Sequence, residues 1–237
     1  MSARAPRLWA IVPAAGSGAR LAGAAPKQYQ QIGNVSLLEH TLNVLLQVEA
    51  IDGIVVALAA NDTYWPGLQV AGEARIETVN GGERRCDSVL AGLRSLAASA
   101  QADDLIMVHD AARPCITSTD IERLLAQTGE HSVGGILAIP VVDTLKQVTA
   151  DGSITGTEDR SQLYQAQTPQ LFRFAVLLDA LQGALADEVD ITDESSAVEH
   201  MGMQPIVVEG SRYNIKVTYT ADLALAESIL RLRGVID

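Results

Sequence analysis

Short apolar runs that end in turns rich in glycine and charge constrain this chain more than any other feature. Leu8–Val12, Gly53–Ala59, Asp104–Val108 and Gly134–Ile139 are nearly continuous in apolar residues, and a shorter run spans Arg75–Val79. Such runs suit strands buried on both faces, because a half-exposed strand would alternate apolar and polar residues. Amphipathic stretches lie between them. Ser36-Leu-Leu-Glu39 is a capping box that opens a helix to about Val48. A glycine-rich turn leads into a helix over Ser88–Ala98, and Thr119-Asp-Ile-Glu122 is a second capping box. The alternation predicts βαβ units: an α/β, Rossmann-like, mostly parallel sheet with helices on both faces.

The pattern changes after Pro140. Val141–Val148, Ala-Asp-Gly and Ser153–Thr157 alternate around a turn signal and predict a β-hairpin. Most of its residues are polar, so it has little to bury against its own core; it is expected to protrude as an arm and pack on something else. Helical patterns return over Arg173–Ala186, Asp193–Met201 and Thr220–Arg233, with strands at Pro205–Glu209 and Asn214–Val217 between them. No repeat or low-complexity linker divides the 237 residues. Residues 1–237 are therefore read as one domain with an arm at about 141–165.

Charge narrows the function. With 17 basic and 29 acidic side chains the formal net charge is −12, so no basic surplus exists to neutralise a nucleic acid or an anionic membrane. A small phosphorylated ligand stays open, since a few local cations outweigh a distant acidic surface. Cys86 and Cys115 stand far apart, and His40, His109, His131 and His200 form no H-E-x-x-H cluster. Neither a disulfide framework nor a zinc motif is expected, and a reducing cytoplasm is the expected compartment. Arg4 and Arg7 before Leu8–Ala15 imitate a secretory signal, but the run is short, holds Pro13 and leads into Gly16-Ser-Gly-Ala-Arg20. A buried first strand explains it better. No apolar stretch reaches the ~20 residues a membrane helix needs.

Three polar clusters each follow a strand. The first is Pro13-Ala-Ala-Gly-Ser-Gly-Ala-Arg20, with Lys27 just beyond in Pro26-Lys-Gln-Tyr29. Small residues at Ala14, Ala15, Gly16 and Gly18 let backbone N–H groups approach an anion, and Arg20 and Lys27 add charge. It is neither a dinucleotide fingerprint, for want of a third glycine, nor a Walker A loop, for want of Gly-Lys-Ser/Thr. A tight turn with solvated cations is the plainer alternative. The second cluster is Asn80-Gly-Gly-Glu-Arg-Arg-Cys-Asp-Ser88. Gly81 and Gly82 are free to adopt positive φ there, and Ser88 or Asp87 to cap a helix whose N-terminus favours an anion. For Asp87, capping alone is expected. The third, His109-Asp-Ala-Ala-Arg-Pro114, sets the Asp110 carboxylate three residues from the Arg113 guanidinium. That pair suits polyol hydroxyls, a metal or a phosphate, or is a plain surface ion pair.

Ligands of open parallel sheets bind beyond the carboxyl ends of the strands, so the three clusters are expected on one rim. Later candidates stand less clearly on their own: Asp143 and Thr144 on the arm, Arg160 on its return, Thr168 in a polar Thr-Pro-Gln turn, Thr192 and Lys216. Thr192 is equally a plain N-cap, and Lys216 a snorkelling edge-strand lysine.

Together these segments resemble the 2-C-methyl-D-erythritol 4-phosphate cytidylyltransferase family along nearly the whole chain. The likeness is carried by the glycine loop with Pro26-Lys-Gln-Tyr29, by Gly81-Gly-x-x-Arg85-x-x-Ser88-Val89 and by His109-Asp-Ala-Ala-Arg-Pro114. It continues through Pro140-x-x-Asp143-Thr144-x-Lys146, Asp159-Arg160, Gln167-Thr-Pro-Gln170, Thr192-Asp-Glu194 and Asn214-Ile-Lys-Val-Thr218. Many sugar-nucleotide transferases share the opening loop; the ordered set is far more specific.

The resemblance implies transfer of CMP from CTP to methylerythritol phosphate with release of pyrophosphate, Mg²⁺ held largely by the CTP phosphates and near Asp110, and a homodimer embraced by the arms. Carried over, Ala14, Ala15, Gly82 and Ser88 contact the cytidine, with Gly16, Gly18 and Arg85 in the CTP site. Arg20 and Lys27 hold the triphosphate and Lys216 lies near the α-phosphate. Asp110, Arg113, Thr144, Arg160, Thr168 and Thr192 shape the acceptor pocket, Thr144 and Arg160 reaching across from the other subunit. A ribitol-5-phosphate cytidylyltransferase and a non-catalytic nucleotide-binding regulator are the alternatives.

Overall fold

The apolar runs form the middle of one sheet in the computed structural model, which describes residues 4–16 and 25–237. The strands are β1 (Leu8–Ala14), β2 (Gln31–Ile32), β3 (Val35–Ser36), β4 (Ile51–Leu58), β5 (Ile76–Asn80), β6 (Leu105–Val108), β7 (Gly134–Pro140), β8 (Lys146–Val148), β9 (Ile154–Thr157), β10 (Tyr164–Arg173) and β11 (Ile206–Glu209). The helices are α1 (Leu37–Gln47), α2 (Arg85–Leu96), α3 (Ser118–Thr128), α4 (Phe174–Ala186), α5 (Glu194–His200) and α6 (Thr220–Leu232). Among these residues, seven strands form a sheet in the order β11-β7-β10-β6-β1-β4-β5. Every neighbouring pair is parallel except those made by β10, which runs antiparallel to both β6 and β7. β1 lies between β4 and β6, so the chain winds away from it in both directions. The carboxyl end of β1 is thus the switch point at which such sheets open a crevice.

The period of two along each strand explains why the runs are apolar throughout. Ala10, Val12, Ile54, Val56 and Met107 face one side, with Leu38 and Leu42 of α1 and Ile121 and Leu124 of α3. Ile11, Val55, Ile106 and Val108 face the other, with Val89 and Leu93 of α2, Leu177 of α4 and Val198 of α5. Both faces are covered, so the middles of β1, β4 and β6 carry apolar side chains on both sides. Gly92 lets α2 approach closely, because a Cβ there would stand 2.8 Å from Ile11 Cγ2. A smaller cluster seats α6 on Ile32, Leu37 and Cys115. Cys86 and Cys115 are both buried as free thiols. No helix of the described residues is long and apolar enough to cross a membrane.

Several local expectations shift. The Ser36 capping box forms as read, its hydroxyl accepting from Glu39 N. The cap of α3 is instead Thr117, which accepts from Asp120 N, two residues before the expected box. α2 begins at Arg85 rather than Ser88. The segment 214–217 is not a strand, and Thr168-Pro-Gln170 is no free-standing turn but the irregular middle of β10, with a cis Thr168–Pro169 bond. The hairpin stands apart as expected: β8 and β9 pair only with each other, in a two-stranded sheet of their own.

A candidate active site at the carboxyl rim of the sheet

The ends of β1, β5 and β6 meet at the switch point. The turn after β1 passes Ala14 and Gly16 before the chain returns at a short 3₁₀ turn, Lys27–Tyr29. Gln28 is buried there and its Nε2 donates to Ala14 O at 2.6 Å, which fixes the strand's terminal carbonyl and brings Lys27 beside it. Gly18 and Arg20 lie outside the described residues.

Beyond β5, Gly81 and Gly82 do not use positive φ; they serve close approach. A Cβ on Gly81 would meet Ala15 Cβ at 2.6 Å and Ser88 Oγ at 2.7 Å, and one on Gly82 would meet Asp87 Cβ at 2.4 Å. The buried Ser88 hydroxyl accepts from Gly82 N at 3.1 Å and ties this turn to α2. Asp87 accepts from Arg84 N and is otherwise occupied by the Arg84 guanidinium, in keeping with a capping role alone. A cavity of about 260 Å³ opens between these elements, with Ala14, Lys27, Gly82, Ser88, Asp110 and Lys216 in its wall.

A chain of alternating charges crosses the floor. Arg85 Nε donates to Asp110 Oδ1 at 2.8 Å, while Nη1 and Nη2 reach the two oxygens of Glu194 at 2.6 and 3.0 Å. Lys216 Nζ lies 2.7 Å from Asp110 Oδ2. The Asp110 side chain is only 8% exposed and Lys216 is 43% exposed, so the cation reaches outward from a buried anchor. Burial by itself would raise the Asp110 pKa, but the charges of Arg85, Lys216 and Arg113 outweigh it and hold the carboxyl well below the usual range. Burial raises the Glu194 pKa, with the Arg85 charge opposing.

Lys216 is aimed by a stitched loop rather than by a sheet ladder. Asn214 Nδ2 donates to Thr168 O at 2.8 Å, Val217 N to Ala112 O at 2.9 Å, and Arg113 Nη1 to Asn214 O at 2.7 Å. Arg113 Nε, with Asp110 Oδ2 at 3.8 Å, is buried without a hydrogen-bond partner among the described residues. Asp110 is held from behind. Its N–H donates to Thr168 Oγ1 at 3.0 Å. His109 Nε2 faces Arg113 O at 3.3 Å, a carbonyl that can only accept, so in the neutral ring Nε2 carries the proton and Nδ1 accepts from the Thr168 hydroxyl at 3.0 Å. Burial pushes the His109 pKa down to about 4, so the ring is neutral at physiological pH.

A second cavity of about 330 Å³ adjoins the first and includes Arg113, Thr168 and Thr192 in its wall. Arg85, Asp110 and Lys216 line both. Thr192 is exposed and Asp193, not Thr192, caps α5. The described rim residues expected from the sequence thus come together, whereas Thr144 and Arg160 sit exposed on the arm and its return. Sequence reasoning gave Glu194 no role beyond opening a helix. Gln28 and Gln170 were motif letters without a task; Gln170 Nε2 donates to Asp193 Oδ2 and its Oε1 accepts from Ser195 N, clamping α5 to β10. A buried amide inside a motif was the available signal.

Among families of known proteins, the model described as 2-C-methyl-D-erythritol 4-phosphate cytidylyltransferase matches residues 8–232. A protein of that name from Ectopseudomonas mendocina is 51% identical over 219 residues, 92% of this chain and 93% of that one. A crystal structure of a 4-diphosphocytidyl-2C-methyl-D-erythritol synthase superposes with a TM-score of 0.83 at 39% identity, covering 96% of this chain and 100% of the other. The Francisella tularensis 2-C-methyl-D-erythritol 4-phosphate cytidylyltransferase structure does so with a TM-score of 0.83 at 37% identity, covering 94% and 100%.

Proposed function

The chain belongs to the 2-C-methyl-D-erythritol 4-phosphate cytidylyltransferase family, and from that premise we propose how its rim is divided between two substrates. The enzyme transfers CMP from CTP to 2-C-methyl-D-erythritol 4-phosphate, releasing pyrophosphate and forming 4-diphosphocytidyl-2-C-methyl-D-erythritol in non-mevalonate isoprenoid biosynthesis. The cavity at Ala14, Lys27, Gly82 and Ser88 takes CTP, with Ala15, Gly16 and Arg85 beside it. The cavity at Arg113, Thr168 and Thr192 takes the acceptor. One observation supports this division above the others: Asp110 and Lys216 stand in the wall common to both cavities, where the α-phosphate and the attacking phosphate have to meet.

The acceptor's phosphate oxygen forms the new bond to the α-phosphorus while the α–β phosphoanhydride bond breaks, and pyrophosphate leaves with the electron pair. The attacking oxygen is already ionised, so no residue has to remove a proton; the neutral, enclosed His109 fits that economy. The difficulty is to bring two polyanions together. Lys27 on the triphosphate and Lys216 near the α-phosphate oppose the developing charge from fixed positions.

Magnesium belongs with the triphosphate. Among the described residues no three His, Cys, Asp or Glu side chains gather as metal ligands. Asp110, the carboxylate in the wall of both cavities, would be the protein oxygen donor for an ion that takes most of its ligands from phosphates. When bound, the ion neutralises phosphate charge and favours departure of pyrophosphate.

A second copy of the chain completes the acceptor cavity through its arm, bringing Thr144 and Arg160. The polar hairpin, with Val148 and Ile154 exposed at its tip, supports that reading. Two buried free thiols suit a reducing cytoplasm.

Pyrophosphate release with Mg²⁺ tests the assignment, offering CTP, UTP, ATP and GTP against methylerythritol phosphate, ribitol phosphate and ribulose phosphate. Turnover confined to CTP with methylerythritol phosphate is expected. Turnover with a pentitol phosphate instead overturns the acceptor, and nucleotide binding without turnover overturns the chemistry.

A further inference from the structure

Glu194 lines neither cavity, yet the charge geometry of the rim converges on it. Its side chain is 1% exposed, and among the described residues its two oxygens meet no donor but the Arg85 guanidinium. An enclosed carboxylate is costly unless paired, so its presence calls for a reason. Holding α5 in place is not that reason. The helix is capped by Asp193, whose Oδ1 accepts from Ser196 N at 2.9 Å. Gln170 clamps the same turn to β10 through Ser195 N and Asp193 Oδ2. None of these bonds uses the Glu194 carboxylate.

What the carboxylate does fix is the orientation of a planar fork. Arg85 spends its Nη1/Nη2 edge on Glu194, and in that orientation its Nε–H alone meets Asp110, at Oδ1. Asp110 Oδ2 then stays open to Lys216. A guanidinium and a carboxylate pair most strongly edge to edge, through two parallel bonds. Without the charge at position 194, Arg85 turns that edge onto Asp110 and competes with Lys216 for Oδ2. We propose that Glu194 is a positioning residue which, through Arg85, keeps Asp110 singly bonded and so holds Lys216 at the junction of the two substrate cavities. The inference rests on the division of the rim given above.

The test is a cycle of steady-state measurements on Glu194→Gln, Asp110→Asn and the double variant, each checked for native folding by circular dichroism and Tm. Glu194→Gln is expected to lower kcat about tenfold or more while KM for CTP moves by less than about twofold, because positioning at the reacting centre is lost rather than nucleotide binding. In the Asp110→Asn background the same change is expected to cost less than about twofold, since its effect passes through Asp110. Glu194→Asp, which restores the charge, is expected to recover most of kcat. Wild-type kcat in folded Glu194→Gln overturns the inference, as does a full loss that persists in the Asp110→Asn background. If Asp110→Asn turns over like wild type, the division of the rim fails and this inference with it. Should Glu194→Gln not fold, Arg85→Lys breaks the same link, because an ammonium cannot span both carboxylates. Its expected kcat loss is the same, and wild-type kcat there overturns the inference.

Discussion

The rim and the arm are built from opposite resources. On the rim, charged groups are fixed by their own chain: Arg85 by Glu194, Asp110 by Arg85 and Thr168, Lys216 by the stitched segment after Asn214. On the arm, two short strands hold only each other, and the Thr144 and Arg160 side chains are exposed. Buried charge is expensive and keeps its geometry because any rearrangement leaves a group unpaired. Exposed charge costs nothing to place and acquires a geometry only from a partner. The difference teaches that one copy of the chain fixes the rim charges by itself, whereas under the proposed function the arm's residues take their geometry from a second copy.

The comparison breaks first at Lys216. Lys216→Ala is expected to lower kcat/KM at least about a hundredfold, or ~3 kcal/mol of transition-state stabilisation, because a preorganised cation is lost. A loss below about threefold in a steady-state assay would say that the rim does not organise the reaction.

Acid sharpens the contrast in stability. His109 is held near pKa 4, below the ordinary 6.5 of the unfolded chain, so the folded state binds fewer protons between those values. Stability is complete above about pH 6.5, falls as the pH drops through the window and levels off below about 4, a loss of roughly 3 kcal/mol. Thermal unfolding of the wild type from pH 7.5 to 4.5 should show this slope, and His109→Asn should flatten it. Parallel curves would contradict the neutral, enclosed ring.

On the arm the effects are smaller and take another form. Arg160→Ala is expected to raise KM for methylerythritol phosphate about tenfold and KM for CTP less than about twofold. An equal rise for both substrates would remove the arm from the acceptor cavity. Least of all, Ile154→Ala, at a tip residue 66% exposed, should change the unfolding free energy of the dissociated chain by no more than about 0.5 kcal/mol. A larger loss, measured by urea titration at high dilution, would mean that the arm belongs to the core.

The strand pattern disclosed the sheet and its rim because buried parallel strands leave an apolar signature and ligands gather at their carboxyl ends. It did not disclose β10. Thr168-Pro-Gln170 reads as a turn, and only tertiary partners reveal why a strand here is polar. Gln167 Nε2 donates to Ser211 O, and Gln170 holds Asp193 and Ser195. Asn214–Val217 misled in the opposite direction: its apolar residues pack on a loop and on α6, so their character is that of a strand while their hydrogen bonds are not. The link between Arg85 and Glu194 joins residues 109 positions apart, a distance at which periodicity and spacing carry no information.

Mixed dimers test most directly whether one subunit's rim works with the other's arm. Lys27→Ala disables the rim and Arg160→Glu the arm; each homodimer should be inactive. Co-expressed in equal amounts with different tags, half of the dimers are heterodimers, and each of these has one intact site of two. Activity should therefore return to about a quarter of wild type. Mixtures as inactive as the separate variants would contradict the account and place both residues in a site made by a single chain.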